Sequence, residues 1–217
     1  MTPSADPSTD PPGRRRRKEA RPQELVEAAM ASFAANGFAG ATVDDVARRA
    51  GVAKGTVYRY YETKEALFEA VVRHYVQPFD DEVRQLVDNN DGSAAELLTT
   101  ILRGAYAVIV GDDTRRAIMR MLIAEGERFP QLTSLYYQQS IRGAEESLRR
   151  VLRRGAETGE FRRGPLIEQP HVVMGPAVQA AIWKMVFEHA SPLDLNRHAE
   201  AHIDLVLSGL LARPEPS

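Results

Sequence analysis

Residues 25–68 read LVEAAMASFAANGFAGATVDDVARRAGVAKGTVYRYYETKEALF, and the breaks in this stretch decide the fold. From Pro22, a residue suited to a first helical turn, apolar side chains recur at Leu25, Val26, Ala29, Met30 and Phe33 with helical spacing. Asn36-Gly37 is the signature of a left-handed helix cap. Thr42 followed three residues later by Asp45 reads as a capping-box variant, and it opens a short helix whose Val43, Val46, Ala47 and Ala50 share one face. Gly51 breaks that helix. A second short helix follows from about Ala53 to Tyr60. Thr63 then caps a longer one carrying Leu67, Phe68, Val71, Val72 and Tyr75, with Pro78 positioned to end or kink it.

Two helices of about eight residues joined through Gly51-Val52 have the form of a helix-turn-helix. On a helical wheel of the second, Ala53, Val57 and Tyr61 make the packing side. Gly55 and Arg59 point away from it, flanked by Thr56 and Tyr58, with Lys54 and Tyr60 at the margins. The outward set contains no acid. Hydroxyls and ammonium groups suit phosphate oxygens, a guanidinium fork suits guanine O6 and N7, and a glycine lets backbone approach a groove closely. Arg59 is open to two roles, base reader or phosphate clamp, and Thr42 to phosphate anchor or simple cap.

The same stretch resembles the DNA-binding domain of the tetracycline-repressor (TetR/AcrR) family through Ala28-Ala29, Phe33, Gly37, Thr42, Val46-Ala47, Gly51-Val52, Gly55-Thr56, Tyr58, Tyr60-Tyr61, Lys64 and Leu67. The resemblance implies that Thr42 anchors a phosphate, that Lys54, Thr56, Tyr58 and Tyr60 contact groove and backbone, and that Lys64 contacts a phosphate at the start of the fourth helix. Two residues depart from the usual pattern. Ala53 stands where serine is common, and Tyr61 replaces the usual phenylalanine. The run MRMLIAEGERFPQLTSLYY, Met119 to Tyr137, is similar to the C-terminal domain of many family members.

Working outward, the chain of 217 residues is 43% hydrophobic, enough for a core, with a formal net charge of −2. The charge is unevenly placed. Residues 14–75 hold 12 Lys and Arg against 8 Asp and Glu, whereas residues 76–217 hold 16 against 20. A basic front and an acidic rear suit nucleic-acid contact at one end. The absence of cysteine excludes disulfides, thiolate metal sites and a cysteine nucleophile, and fits a reducing cytoplasm. No run approaches the ~18 apolar residues of a membrane span, and the N-terminus lacks the apolar stretch of a signal peptide. A cytoplasmic protein without membrane contact is expected.

Residues 1–18 read as a disordered tail ending in the basic run Arg14 to Lys18, either a minor-groove arm or a solvated tail. Residues 19–68 form the helix-turn-helix domain, 69–212 a larger domain for effector binding and dimerisation, and 213–217 a second tail. Ser93 and Glu96 make another capping box, and helices are expected over 94–110, 113–127, 131–157, 170–189 and 194–211. No alternating strand pattern is present, so the class is all-α, with an N-terminal three-helix DNA-binding domain.

In the rear domain, Tyr106, Met119, Met121, Phe129, Met174, Trp183 and Phe187 are candidates to line a pocket for a small apolar effector, with ordinary core as the alternative. Arg149, Arg150, Arg153 and Arg154 follow Glu145 and Glu146 and read as an exposed helix face with i,i+4 pairs. His198 and His202 have metal-ligand spacing without a third ligand, and read as interface or surface histidines on a terminal helix. The helix over 170–189 is apolar nearly all round. The terminal helix adds Leu195, Ile203, Val206, Leu207, Leu210 and Leu211. A helix apolar on every side needs two covers, and a second subunit supplies one.

The function expected is a ligand-responsive transcriptional repressor that binds palindromic double-stranded operator DNA as a homodimer and is released by a small effector. No cofactor or metal is implied. An activator or co-regulator without an effector pocket is one alternative. An all-α enzyme with an appended DNA-binding module is another, although the sequence holds no phosphate-binding glycine loop, zinc signature or nucleophile elbow.

Overall fold

The structure, a computed structural model, describes residues 22–212. The basic run Arg14 to Lys18 and both predicted tails lie outside the described residues. Eleven α-helices are present among the described residues: α1 (Pro22–Gly40), α2 (Val43–Ala50), α3 (Lys54–Tyr60), α4 (Lys64–Tyr75), α5 (Gln77–Asp88), α6 (Ala94–Ala105), α7 (Asp113–Glu125), α8 (Pro130–Tyr136), α9 (Arg142–Glu157), α10 (Pro170–Phe187) and α11 (Leu195–Leu210). A π segment, Tyr106–Val110, extends α6, and another, Tyr137–Ile141, joins α8 to α9, so the single helix expected over 131–157 runs on with a widened turn. The fold is all-α.

The front helices follow the capping chemistry of their sequence. The Thr42 hydroxyl accepts the Asp45 amide at 3.1 Å, and the Asp45 carboxylate accepts the Thr42 amide at 3.3 Å, closing the capping box of α2. That hydrogen bonding, the Thr42 hydroxyl first, holds the Asp45 carboxyl below its ordinary range. Gly51 closes α2 with φ 69° and ψ 28°. Its requirement for glycine is conformational, since no atom lies where a Cβ would sit. Thr63 caps α4 by accepting the Ala66 amide at 3.0 Å.

Three expectations need correction. Gly37 has a positive φ of 68°, but its ψ of 176° is extended rather than left-handed helical. The chain bends there, and the freed amides of Phe38 and Ala39 donate to the Glu125 carboxylate on α7 at 2.7 and 2.6 Å. Ala53 is exposed rather than on the packing side, because it sits in extended backbone just before α3, where a helical wheel does not apply. Pro78 begins a helix instead of ending one, occupying the first turn of α5.

Phe33, Phe38 and Phe68 form an aromatic centre with ring centroids 5.6 to 6.1 Å apart, and Ile118, Met121 and Leu132 from α7 and α8 pack into the same cluster. The front helices therefore share a core with the rear ones, and α1 lies against α7. Behind them, α5, α6, α9, α10 and α11 enclose a second core around Leu98, Leu102, Leu152 and Ile203. Gly155 admits the Phe161 ring so closely that a side chain at 155 would overlap it, and Phe161 pairs with Leu211 to pin the end of α11.

Candidate nucleic-acid interface and effector cavity

Helix α3 commits very little of itself to the fold. Val57 is fully buried, Thr56 and, just beyond the helix, Tyr61 are half-buried, and the rest of the helix faces outward. Tyr58 and Tyr60 are 44% and 38% exposed, large values for aromatic rings. The Arg59 guanidinium lies over the Tyr60 ring at 5.1 Å, and the Lys54 ammonium is 6.0 Å from the Tyr58 ring. Nothing lies within 4 Å of a Cβ built at Gly55, so internal packing does not require glycine there.

The set Gly55, Tyr58, Arg59 and Tyr60, with half-buried Thr56 beside it, is thus brought together as one exposed, acid-free patch on α3. A neighbour that the wheel could not reveal is Asp44 on α2, which holds the Lys54 ammonium at 2.7 Å and raises its pKa through that hydrogen bond. Both groups are solvent-exposed, so the pair is weak and exchangeable.

Thr42 and Lys64 differ from this patch. The Thr42 hydroxyl is engaged with Asp45, accepting its amide and donating to its carboxylate at 2.7 Å. Lys64 turns inward. Its ammonium donates to the carbonyls of Phe38, Ala39 and Ala41 at 2.6, 3.3 and 3.0 Å and lies 4.5 Å from the Phe38 ring. The physical reason is the bend at Gly37. It leaves carbonyls without helical partners, and three ammonium donors satisfy them. Where the resemblance implies a phosphate contact, the structure places a clamp on the α1–α2 corner.

The second site is a cavity of about 300 Å³ among α5, α6, α7, α9 and α10. Its wall is mostly apolar, including Phe79, Val83, Ile101, Met119, Leu122 and Met174. Of the expected pocket residues, Met119 and Met174 line it. Met121 and Phe129 instead pack in the front core, Phe129 with its ring 5.2 Å from Phe38. Tyr106 is buried beside the cavity wall and shares a 2.8 Å hydrogen bond with His198 Nδ1. Trp183 donates to the Ser191 carbonyl at 2.9 Å and contacts Phe187, which is 46% exposed. Those last two belong to the outer surface of α10.

Sequence reasoning missed the polar part of the wall: Asp80, Arg115, Tyr136, Ser140, Glu145 and His171. Arg115 is buried. Its Nε donates to the Tyr75 carbonyl at 3.2 Å and a terminal nitrogen to the Val76 carbonyl, so it caps the C-terminal end of α4. Asp80 is 9% exposed, and its Oδ2 has no hydrogen-bond partner. Burial pushes its pKa up to about 6, against the opposing influence of the Ser140 hydroxyl and the Arg115 charge. Burial likewise raises Tyr136 and lowers Arg115. Glu145 and His171 are paired at 3.0 Å, with His171 largely exposed, where the cavity meets the surface. A signal for Asp80 was present in the sequence. It falls on the stripe Val76, Val83, Val87, which faces the core of α5.

Other charged groups are satisfied within the fold. Arg149 pairs with Glu146 on its own helix, but Arg150 pairs with Asp88, Arg153 with Glu168, and Arg154 donates to loop carbonyls at Asn90 and Gly92. Apart from Arg149, the cluster braces α9 against its neighbours instead of pairing along its own face. His202 is a core residue, not a surface one. Its Nε2 hydrogen-bonds with the Val173 carbonyl at 2.8 Å, and burial lowers its pKa. No single helix among the described residues is long and apolar enough to cross a membrane.

Comparison with known proteins gives two family matches. Residues 25–71 match "Bacterial regulatory proteins, tetR family", and residues 96–208 match "AefR-like transcriptional repressor, C-terminal domain". The HTH-type transcriptional repressor KstR2 of Rhodococcus jostii is 26% identical over 215 residues, covering 97% of this chain and 98% of its own. Among solved structures, the regulator FadR of Bacillus subtilis in complex with stearoyl-CoA superposes with a TM-score of 0.69 at 20% identity, covering 87% of this chain and 99% of that one. SmeT, the repressor of a Stenotrophomonas maltophilia multidrug efflux pump, superposes in its triclosan complex with a TM-score of 0.74 at 22% identity, covering 90% and 97%.

Proposed function

Because this chain belongs to the tetR family of bacterial regulatory proteins, we propose that it is a ligand-responsive repressor that grips two-fold operator DNA as a homodimer and lets go when a small apolar effector occupies the cavity. The observation that carries this reading is the placement of α7. Its Met119 and Leu122 line the cavity, its Arg115 holds the end of α4, and its Glu125 holds the bend after α1. One helix thus touches the ligand space and both flanks of the helix-turn-helix. A ligand that shifts α7 would re-aim α3, and a coupling of ~1–3 kcal/mol would lower DNA affinity ~5–150-fold.

DNA contact falls to Lys54, Gly55, Thr56, Tyr58, Arg59 and Tyr60, with Thr42 at the start of α2 beside them. Lys64 serves as the residue that positions the corner. A short helix such as α3 makes few base contacts, and two copies set about 34–36 Å apart would read successive half-sites. The outer face of α10 supports the pairing. Val178, Ile182 and Val186 recur every four residues and are exposed in the single chain, as is Leu205 on α11. Repression is favoured by the nature of the relatives, among which KstR2 and SmeT are repressors.

Footprinting on DNA flanking the protein's own gene tests the reading. The expected result is protection of two inverted half-sites about one helical turn apart, with protein mass on DNA equal to two chains per site. Uniform, sequence-independent protection, or a single chain per site, would overturn it.

A further inference from the structure

The cavity reaches solvent between α9 and α10. Ile141, just before α9, and Val178 on α10 both line it, and in the single chain they are 37% and 39% exposed. Across the same opening, His171 Nδ1 on α10 donates to the Glu145 carboxylate on α9 at 3.0 Å. Both rims depart from regular helix. The rim leading into α9 is the π segment Tyr137–Ile141, and such widened turns recur at functional sites. On the other rim, Pro176 stands inside α10 and has no amide to offer the Val172 carbonyl four residues back. Gly175 precedes it, and nothing lies within 4 Å of a Cβ built there, so packing gives no reason for glycine. The two residues least favourable in a helix interior thus fall side by side where α10 passes the cavity.

We propose, building on the reading of this cavity as the effector site, that the ligand enters between α9 and α10 through a gate. The gate is the start of α10, residues 170–174, hinged at Gly175-Pro176 and latched by the His171–Glu145 pair. Pro170, His171 and Met174 present this segment to the cavity. Its other side is tethered, because Val173 is buried and its carbonyl shares a 2.8 Å hydrogen bond with His202 Nε2 on α11. The segment therefore rocks about Val173 instead of detaching, and a small rotation there carries His171 and Met174 away from α9. The latch suits a contact that must open. Its histidine is largely exposed, so the pair is weak and re-forms readily. The hinge needs no new packing when it opens, since the glycine carries no side chain and the proline has no helical hydrogen bond to break.

Stopped-flow fluorescence with N-phenyl-1-naphthylamine, a neutral apolar dye that brightens out of water, tests the gate in the whole chain. Opening interrupts the helix at the hinge, so Gly175→Ala with Pro176→Ala holds it closed. Alanine favours the helical state over glycine by about fivefold, and the association and dissociation rates are both expected to fall by at least that factor. The dissociation constant should stay within about twofold, because free and occupied cavities open through the same gate. His171→Leu keeps bulk at the rim but removes the latch, and should raise both rates by about twofold or more, the scale of an exposed ion pair. Wild-type rates in the folded hinge variant or in His171→Leu, or a changed dissociation constant carried by one rate alone, would each overturn the gate. Should the hinge variant fail to fold, His171→Leu decides by itself. Met119→Trp, which fills the cavity, is expected to abolish the signal. Dye that does not bind, or that still binds Met119→Trp, would sink the cavity as a ligand site and the gate with it. Binding in the cavity at rates indifferent to hinge and latch would sink the gate alone and leave the ligand-responsive regulator standing.

Discussion

Helix α3 and the cavity wall treat charge in opposite ways. On α3 the cations rest on tyrosine rings or on an exposed acid, partners that are easily exchanged for phosphate. Deep in the cavity wall Asp80 and Arg115 are buried, and Arg115 is fixed to backbone carbonyls that close a helix. The surface is built to trade partners and the interior to keep them. The difference marks which charged residues should act on DNA and which on the fold, and Lys64 is the informative case. It lies just beyond the DNA-facing patch in sequence, yet it behaves like the interior group.

The largest effect expected from this contrast is therefore on stability. Lys64→Met removes the partner of three carbonyls at the α1–α2 corner and should cost about 3 kcal/mol in urea unfolding, whereas Lys54→Ala should leave the unfolding midpoint unchanged. A Lys64→Met protein as stable as wild type would return that residue to the DNA-facing set.

Asp80 gives the next largest effect, and its sign depends on pH. Its folded pKa of about 6 stands above the ordinary 3.8 of an aspartate, so protonation favours the folded state. That contribution is fully present below pH 3.8 and is lost as pH rises through about 6. Asp80→Asn, which mimics the protonated form, should be more stable than wild type by about 2–3 kcal/mol at pH 7.5, and the advantage should vanish near pH 4. Parallel stability curves for the two proteins across this range would contradict the burial account of Asp80.

A smaller effect belongs to the joint between the regions. Glu125 accepts the Phe38 and Ala39 amides, and Glu125→Gln keeps one acceptor oxygen while weakening both bonds. About 1 kcal/mol of stability should disappear. Operator affinity should change little, but the drop in affinity caused by a cavity ligand should shrink, because α7 no longer holds the bend. Unaltered ligand response in this variant would remove α7 from the proposed route. Asp44→Asn should have the smallest effect, with no change in stability and about a twofold gain in operator affinity as an acid beside the DNA-facing patch is removed.

The two regions are also unequally legible in the sequence. The chemistry of α3 lies in seven consecutive residues, so turn signals, caps and one wheel are enough to delimit it. The wheel fails only at Ala53, which lies outside the helix, and at Asp44, which comes from another helix. Met119 and Met174 are found for the cavity because large apolar residues are the ordinary lining of such spaces. The same criterion admits Phe129, Trp183 and Phe187, since periodicity marks an apolar face without saying whether a cavity, a neighbouring helix or the surface lies against it. The cavity's polar groups come from several elements brought together only by tertiary packing, and Asp80 alone leaves a trace, as a charge on an apolar stripe. The inward turn of Lys64 is illegible for a similar reason. The carbonyls it serves are more than twenty residues away, exposed by a bend whose ψ no sequence pattern specifies.

The most direct test is the salt dependence of operator binding by the double variant Lys54→Ala with Arg59→Ala, measured on the footprinted DNA. The account predicts affinity reduced by at least about tenfold and a shallower dependence on log salt, by about one for each phosphate that is no longer neutralised, with the fold intact. Unchanged affinity and an unchanged salt slope in a folded double variant would contradict the assignment of α3 as the surface that reads DNA.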